Sequence, residues 1–137
     1  MCLVNTSKPK NLLCDANVNN CREVATLLRG CSYQVTSVGS TPEVIYVLNC
    51  EGASIDIVLA EADLPMANCM KILKYITQDQ ELRRIPVIML VARDNISMIA
   101  KCLMHGAVDY LMMPLGSNGL FNLWTHVWRT RRMVSIN

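Results

Sequence analysis

Five short apolar runs spaced along 137 residues constrain this chain more than any other feature. They occupy residues 11–16 (NLLCDA), 33–38 (YQVTSV), 55–61 (IDIVLAE), 85–91 (IPVIMLV) and 107–113 (AVDYLMM). Their aliphatic and β-branched content suits strands, and most are too apolar to leave one face in water. Between them the apolar spacing turns helical. Val18, Cys21, Val24, Ala25 and Leu28 form the first helical stripe, with Gly30 placed to cap it. Ser40 and Glu43, with Pro42 between them, open a second helix that buries Val44, Val47 and Leu48. After the turn ADLPMA, a third helix holds Met70, Leu73 and Ile76 inward and Lys71 and Lys74 outward. Asp94 or Asn95 is placed to cap a fourth, carrying Ile96, Ile99, Ala100 and Leu103 and stopping at Gly106. Beyond Pro114, Ser117 or Asn118 is placed to cap a fifth, running through FNLWTHVWRTRRM. Strands that need cover on both faces, alternating with helices, imply an α/β fold built on one doubly wound, five-stranded parallel sheet. Chemistry in such sheets gathers at the carboxyl ends of the strands. Those ends are Asp15 and Ala16, Glu61, Val91 and Ala92, and Met113.

The length suits one domain, and 52% apolar against 18% charged residues is the balance of a chain with a core, not of a disordered one. A net charge of +2 does not by itself indicate nucleic-acid binding. Seven scattered cysteines, odd in number and without a C-x-x-C pair, read as free thiols rather than a disulfide scaffold or zinc site. The opening MCLVNTSKPK has no apolar stretch of the secretory kind, so a reduced intracellular setting is expected. No apolar run approaches the roughly 18 residues that span a bilayer. The nine methionines are read as core filler. The first strand–helix turn, DANVNN, lacks the glycine-rich cradle of a nucleotide site.

An acid ending strand one, an acid ending strand three and a residue before proline ending strand five resemble the receiver domain of response regulators. The likeness covers about residues 9–132 and rests on LLCDA, DIVLAEADLPM, RIPVIML and GAVDYLMMPL. Within that family, DLPMANCMKILKYI, ELRRIPVIM and NLWTHVWRTRRM resemble the plant circadian-clock pseudo-response regulators, on the timing of CAB expression branch. The resemblance implies a (βα)5 flavodoxin-like fold with strand order 2-1-3-4-5. Residues 1–8 and 133–137 are then short tails.

A working receiver transfers a phosphoryl group to its own aspartate by positioning and charge stabilisation. Carried over position by position, the resemblance places a degenerate site here. Asp15 matches the first acid of the Mg²⁺ pair, while Ala16 stands where the second belongs. Two carboxylates at best would hold Mg²⁺ weakly. Glu61 occupies the acceptor position, its carboxylate about an ångström farther out, a displacement that can cost on the order of a hundredfold in rate. Val91 replaces the hydroxyl residue and Met113 the lysine that steady the phosphoryl charge. No catalytic residue, resident metal or cofactor is therefore expected, and the chain is read as not an enzyme. Glu61 either mimics a phosphorylated aspartate or is merely tolerated. The second reading is favoured, because no cation is placed to pull it inward.

Tyr110 matches the aromatic switch position of receivers and is read as part of an interaction surface or as a packed aromatic. Trp124 and Trp128, one helical turn apart, belong mostly to the core, and whichever faces outward is a candidate partner contact. Arg129, Arg131 and Arg132 suit a helix C-terminus better than a nucleic-acid patch. His105 and His126 have no partner at ligand spacing, and Cys14 is read as core.

The resemblance implies a non-phosphorylatable interaction module in circadian or transcriptional signalling, in the nucleus. The expected partners are other pseudo-response regulators, clock transcription factors or a second copy, with no membrane contact and no direct nucleic-acid binding. Long family members carry a C-terminal basic domain; this sequence stops at Asn137 without it, so a truncated or single-domain version, or part of a longer product, is expected. The alternatives are accordingly a receiver-only decoy of full-length relatives, or a residual Mg²⁺-dependent phosphoacceptor.

Overall fold

A computed structural model describes residues 8–62 and 66–113. The first run becomes β1 (Lys10–Cys14) and is followed by helix α1 (Val18–Gly30). Then come β2 (Gln34–Val38), α2 (Thr41–Glu51), β3 (Ile57–Glu61) and α3 (Met66–Gln78). β4 (Val87–Val91), α4 (Ser97–Met104) and β5 (Asp109–Met112) complete the described elements. All four strand pairs are parallel, in the order β2-β1-β3-β4-β5. The expected sheet, with its reversal of strand order beside β1, is therefore the one observed. The expected fifth helix, with Trp124, His126, Trp128 and the three arginines near its end, lies outside the described residues.

Strand alternation sorts the core into two layers. Leu12, Cys14, Val58, Ala60, Met89 and Val91 face α2, α3 and α4, meeting Val44, Leu48, Ile72, Leu73, Ile76 and Cys102. Leu13, Ile57, Leu59, Ile88, Leu90 and Leu111 face the other way, toward Val24, Ala25 and Leu28 of α1 and toward Tyr33. Each fully buried aliphatic side chain contributes about 1.5–3 kcal/mol. The expected inward residues of α2 and α3 are buried or, for Met70, partly buried, and Lys71 and Lys74 are exposed.

Three local expectations need correction. Gly30 does not turn the chain at the end of α1. The helix runs through it, and Ser32 takes the left-handed conformation, with φ 70°. Ser32 N–H donates to Arg29 O and Tyr33 N–H to Leu28 O, both at 3.1 Å. This is the Schellman arrangement, and Tyr33 and Leu28 share one apolar cluster beneath it. Burying Tyr33 two residues beyond Cys31 decides where the helix stops, over the local preference for glycine.

The N-cap of α4 falls at Ile96, beyond the expected Asp94 or Asn95. A 3₁₀ turn at Arg93–Asn95 intervenes, and the helix starts after Ile96 without a side-chain cap hydrogen bond. The inward stripe of α4 is also different. Met98 and Cys102 are buried and Ile99 half-buried, while Ile96, Ala100 and Leu103 are exposed. The 3₁₀ turn re-phases a helix that is apolar on more than one side, so periodicity alone could not choose its face. Gly106, by contrast, behaves as expected of a chain stop. Its φ is +112°, and a Cβ there would meet Thr77 Cγ2 at 2.5 Å.

Candidate functional site at the strand ends

The parallel sheet delivers the expected residues to one edge. Asp15 follows β1 directly, and its N–H donates to Val38 O at 3.1 Å, extending the β1–β2 ladder. Asp15 is 3% exposed, and its Oδ1 accepts the Asn17 N–H at 2.8 Å. Asn17 in turn caps α1, its Oδ1 accepting the Asn20 N–H at 3.0 Å. The acid thus holds the turn from which the helix starts, a use that the sequence reading missed. The D-x-N-x-x-N spacing was the available signal. Ala16, between them, is exposed.

One strand over, Cys14 pairs with Ala60, so Asp15 and Glu61 leave the sheet at the same level. Glu61 is half-buried at the end of β3. Burial pushes the neighbouring Cys14 thiol up to about 12, helped by the charges of Asp15, Cys21, Glu61 and Glu43. Val91 ends β4 fully buried, its side chain committed to the layer beneath α3 and α4. Met113 N–H donates to Val91 O at 2.9 Å, and its half-buried side chain packs on the opposite layer, with Leu13 and Leu111. Asp15, Glu61, Val91 and Met113 therefore share one edge, in the strand order the sequence implied.

A cleft of about 370 Å³ opens beside this edge, between α1 and β2, with Asp15, Arg22, Arg29, Ser37 and Glu43 in its walls. Its position depends on β2 lying beside β1, which local pattern does not specify. His105 stands apart, its Nδ1 2.7 Å from Lys101 O. No helix among the described residues is long and apolar enough to cross a membrane.

Tyr110 lies on the edge strand β5, with its N–H bonded to Asp109 Oδ1 at 2.8 Å. Leu111 turns inward, leaving Tyr110 and Met112 on the other face, each 38% exposed. Met104, 83% exposed, Leu103, Ile96 and Val108 are exposed close to them in the chain. Of these, the sequence singles out Tyr110 as a candidate contact, with Ile96 and Leu103 expected only among the apolar residues that the fourth helix carries.

The response regulator receiver domain model matches residues 12–124. The chain is 54% identical over 134 residues to "Two-component response regulator-like PRR1" of Oryza sativa subsp. japonica, covering 98% of this chain and 26% of that protein. It is 55% identical over 133 residues to "Two-component response regulator-like APRR1" of Arabidopsis thaliana, covering 97% and 22%. It thus spans about a quarter of the length of these relatives. Among solved structures, a putative response regulator from Chloroflexus aurantiacus superposes with a TM-score of 0.80 at 21% identity, covering 88% of this chain and 98% of that one. The signal receiver domain of a putative LuxO repressor protein from Vibrio parahaemolyticus gives 0.82 at 17% identity, covering 95% and 98%. These two likenesses concern the fold. The chain belongs to the response regulator receiver family and is of the plant pseudo-response-regulator kind.

Proposed function

We propose that this receiver has lost phosphotransfer and serves as a protein–protein contact module through the face made by α4 and β5. The observation that carries the reading is where apolar surface is left exposed. Six of the nine large hydrophobic side chains exposed among the described residues fall between Ile96 and Met112. Single exposed hydrophobics are ordinary, whereas a gathered set marks a contact surface.

The strand ends support the loss of chemistry. A Mg²⁺ ion is held by several oxygen ligands at short range. Asp15 has one carboxylate oxygen engaged by the Asn17 N–H. Ala16 brings no ligand, and Glu61 is the second carboxylate at the edge. Val91 and Met113 supply neither a hydroxyl nor a cation for a transferring phosphoryl group. This donor set does not fit the ion. The chain is read as not an enzyme. Its partners are related pseudo-receivers, clock transcription factors or a second copy, in the nucleus.

Sedimentation over a wide concentration range, alone and mixed with related pseudo-receivers, tests the reading. Association weakened by Tyr110→Ala or Met104→Glu is the expected result. A persistent monomer that binds none of them overturns it.

A further inference from the structure

The two edges of the sheet are unlike. β5, at one end, carries Asp109 and part of the exposed apolar face. β2, at the other, reads QVTSV, with no charged residue and no proline. Open edges are commonly guarded by one or the other, since they offer unpaired backbone groups to any strand that meets them. The ladder to β1 sets which groups those are. Gln34 N–H donates to Pro9 O at 2.8 Å, and Val38 O accepts the Asp15 N–H at 3.1 Å, so Gln34, Thr36 and Val38 bond toward β1. Val35 and Ser37 alternate with them and present their N–H and C=O groups away from the sheet.

Helix α1 walls this edge on one side. Val18, Arg22, Ala25 and Arg29 recur at helical spacing and, with Ser37 and Gly39, line the cleft of about 370 Å³. Arg29 Nη2 reaches Val35 O at 3.5 Å, a long bond that an incoming strand can replace. Neither guanidinium has an ion-pair partner among the described residues. The acids in the cleft walls already have donors of their own. Asp15 accepts the Asn17 N–H, and Glu43 Oε1 accepts the Ser40 hydroxyl at 2.9 Å.

We propose that the free edge of β2 binds an extended acidic segment of a protein partner as a sixth strand. Its backbone pairs with the outward N–H and C=O groups of Val35 and Ser37, which gives affinity, while its side chains give specificity. Every second side chain of such a strand turns toward α1. Arg22 and Arg29 stand two turns apart, about 10 Å along the helix axis. Same-face side chains four places apart on a strand span about 13 Å, within the reach of two arginines. The segment that fits therefore has acids at its first and fifth places and a small apolar residue at the third, over Ala25. This surface lies at the opposite end of the sheet from the α4–β5 face, and the argument for it does not depend on that face.

The test titrates the full, ¹⁵N-labelled chain with a blocked peptide of sequence threonine–glutamate–threonine–valine–threonine–glutamate–threonine, followed by NMR and amide exchange. The Val35 and Ser37 amides should shift and exchange more slowly with peptide bound. A peptide with lysine in place of glutamate should bind about tenfold more weakly. The double variant Arg22→Glu, Arg29→Glu should reverse that preference, and both side chains are exposed, so the fold tolerates the change. A peptide N-methylated at alternate residues, which cannot pair, should not bind. The proposal is overturned by an absence of shifts at millimolar peptide, by shifts confined to residues 96–112, or by equal binding of the N-methylated peptide. Protection of Val35 and Ser37 that grows with protein concentration in the peptide-free chain also overturns it, because the edge then belongs to a second copy.

Discussion

The carboxylate of Asp15 accepts the backbone N–H of Asn17 at 2.8 Å, and Asn17 accepts that of Asn20 at 3.0 Å. A residue that the receiver pattern assigns to metal binding is thus part of a chain of caps that starts α1. Removing a buried charged acceptor leaves its donor unpaired, at about 1–3 kcal/mol. Asp15→Ala should lose stability in that range in urea unfolding, and Asp15→Asn, which keeps an acceptor, should lose less. An unchanged midpoint for Asp15→Ala would deny the turn any dependence on this acid.

Ser32 carries the left-handed backbone at the end of α1, with φ 70°. That conformation costs an L-residue about 1 kcal/mol that glycine does not incur. Ser32→Gly should therefore raise the urea midpoint by an amount worth up to about 1 kcal/mol, offset in part by the freer unfolded chain. A clear loss of stability would show that the serine side chain matters there.

Burial holds the Cys14 and Cys69 thiols up at about 12. Below the thiol pKa of the unfolded chain, near 9, both states are protonated and the stability is fully present. Above it the unfolded chain ionises while the folded one does not, so stability falls as pH rises toward 12. Each thiol contributes a loss approaching about 1.4 kcal/mol per pH unit within that window. Urea unfolding at steps from neutral to strongly alkaline pH checks this. Cys14→Ala should flatten the decline, and an unchanged slope would contradict it.

Much of the fold was legible because every strand carries a short apolar run and every described helix a stripe. Ser40 is the clearest local success. It accepts the Glu43 N–H at 3.4 Å, as the S-x-x-E pattern requires. What sequence missed was set by contacts distant in the chain. Tyr33 reaching its buried place beside Leu28 moved the turn from Gly30 to Ser32. The 3₁₀ turn before α4 chose Met98 and Cys102 as its inward face over Ile96 and Leu103. At the strand ends, the shared edge of Asp15, Glu61, Val91 and Met113 was legible because parallel strands finish together. The burial of Asp15 was not, since it depends on the turn folding back over it.

Incubating the purified chain with a small phosphodonor and Mg²⁺, followed by intact mass and peptide mapping, tests the central claim most directly. The account predicts no species heavier by a phosphoryl group, under conditions that modify an active receiver run alongside. A phosphorylated species mapping to Glu61 would contradict it and return the chain to the working receivers.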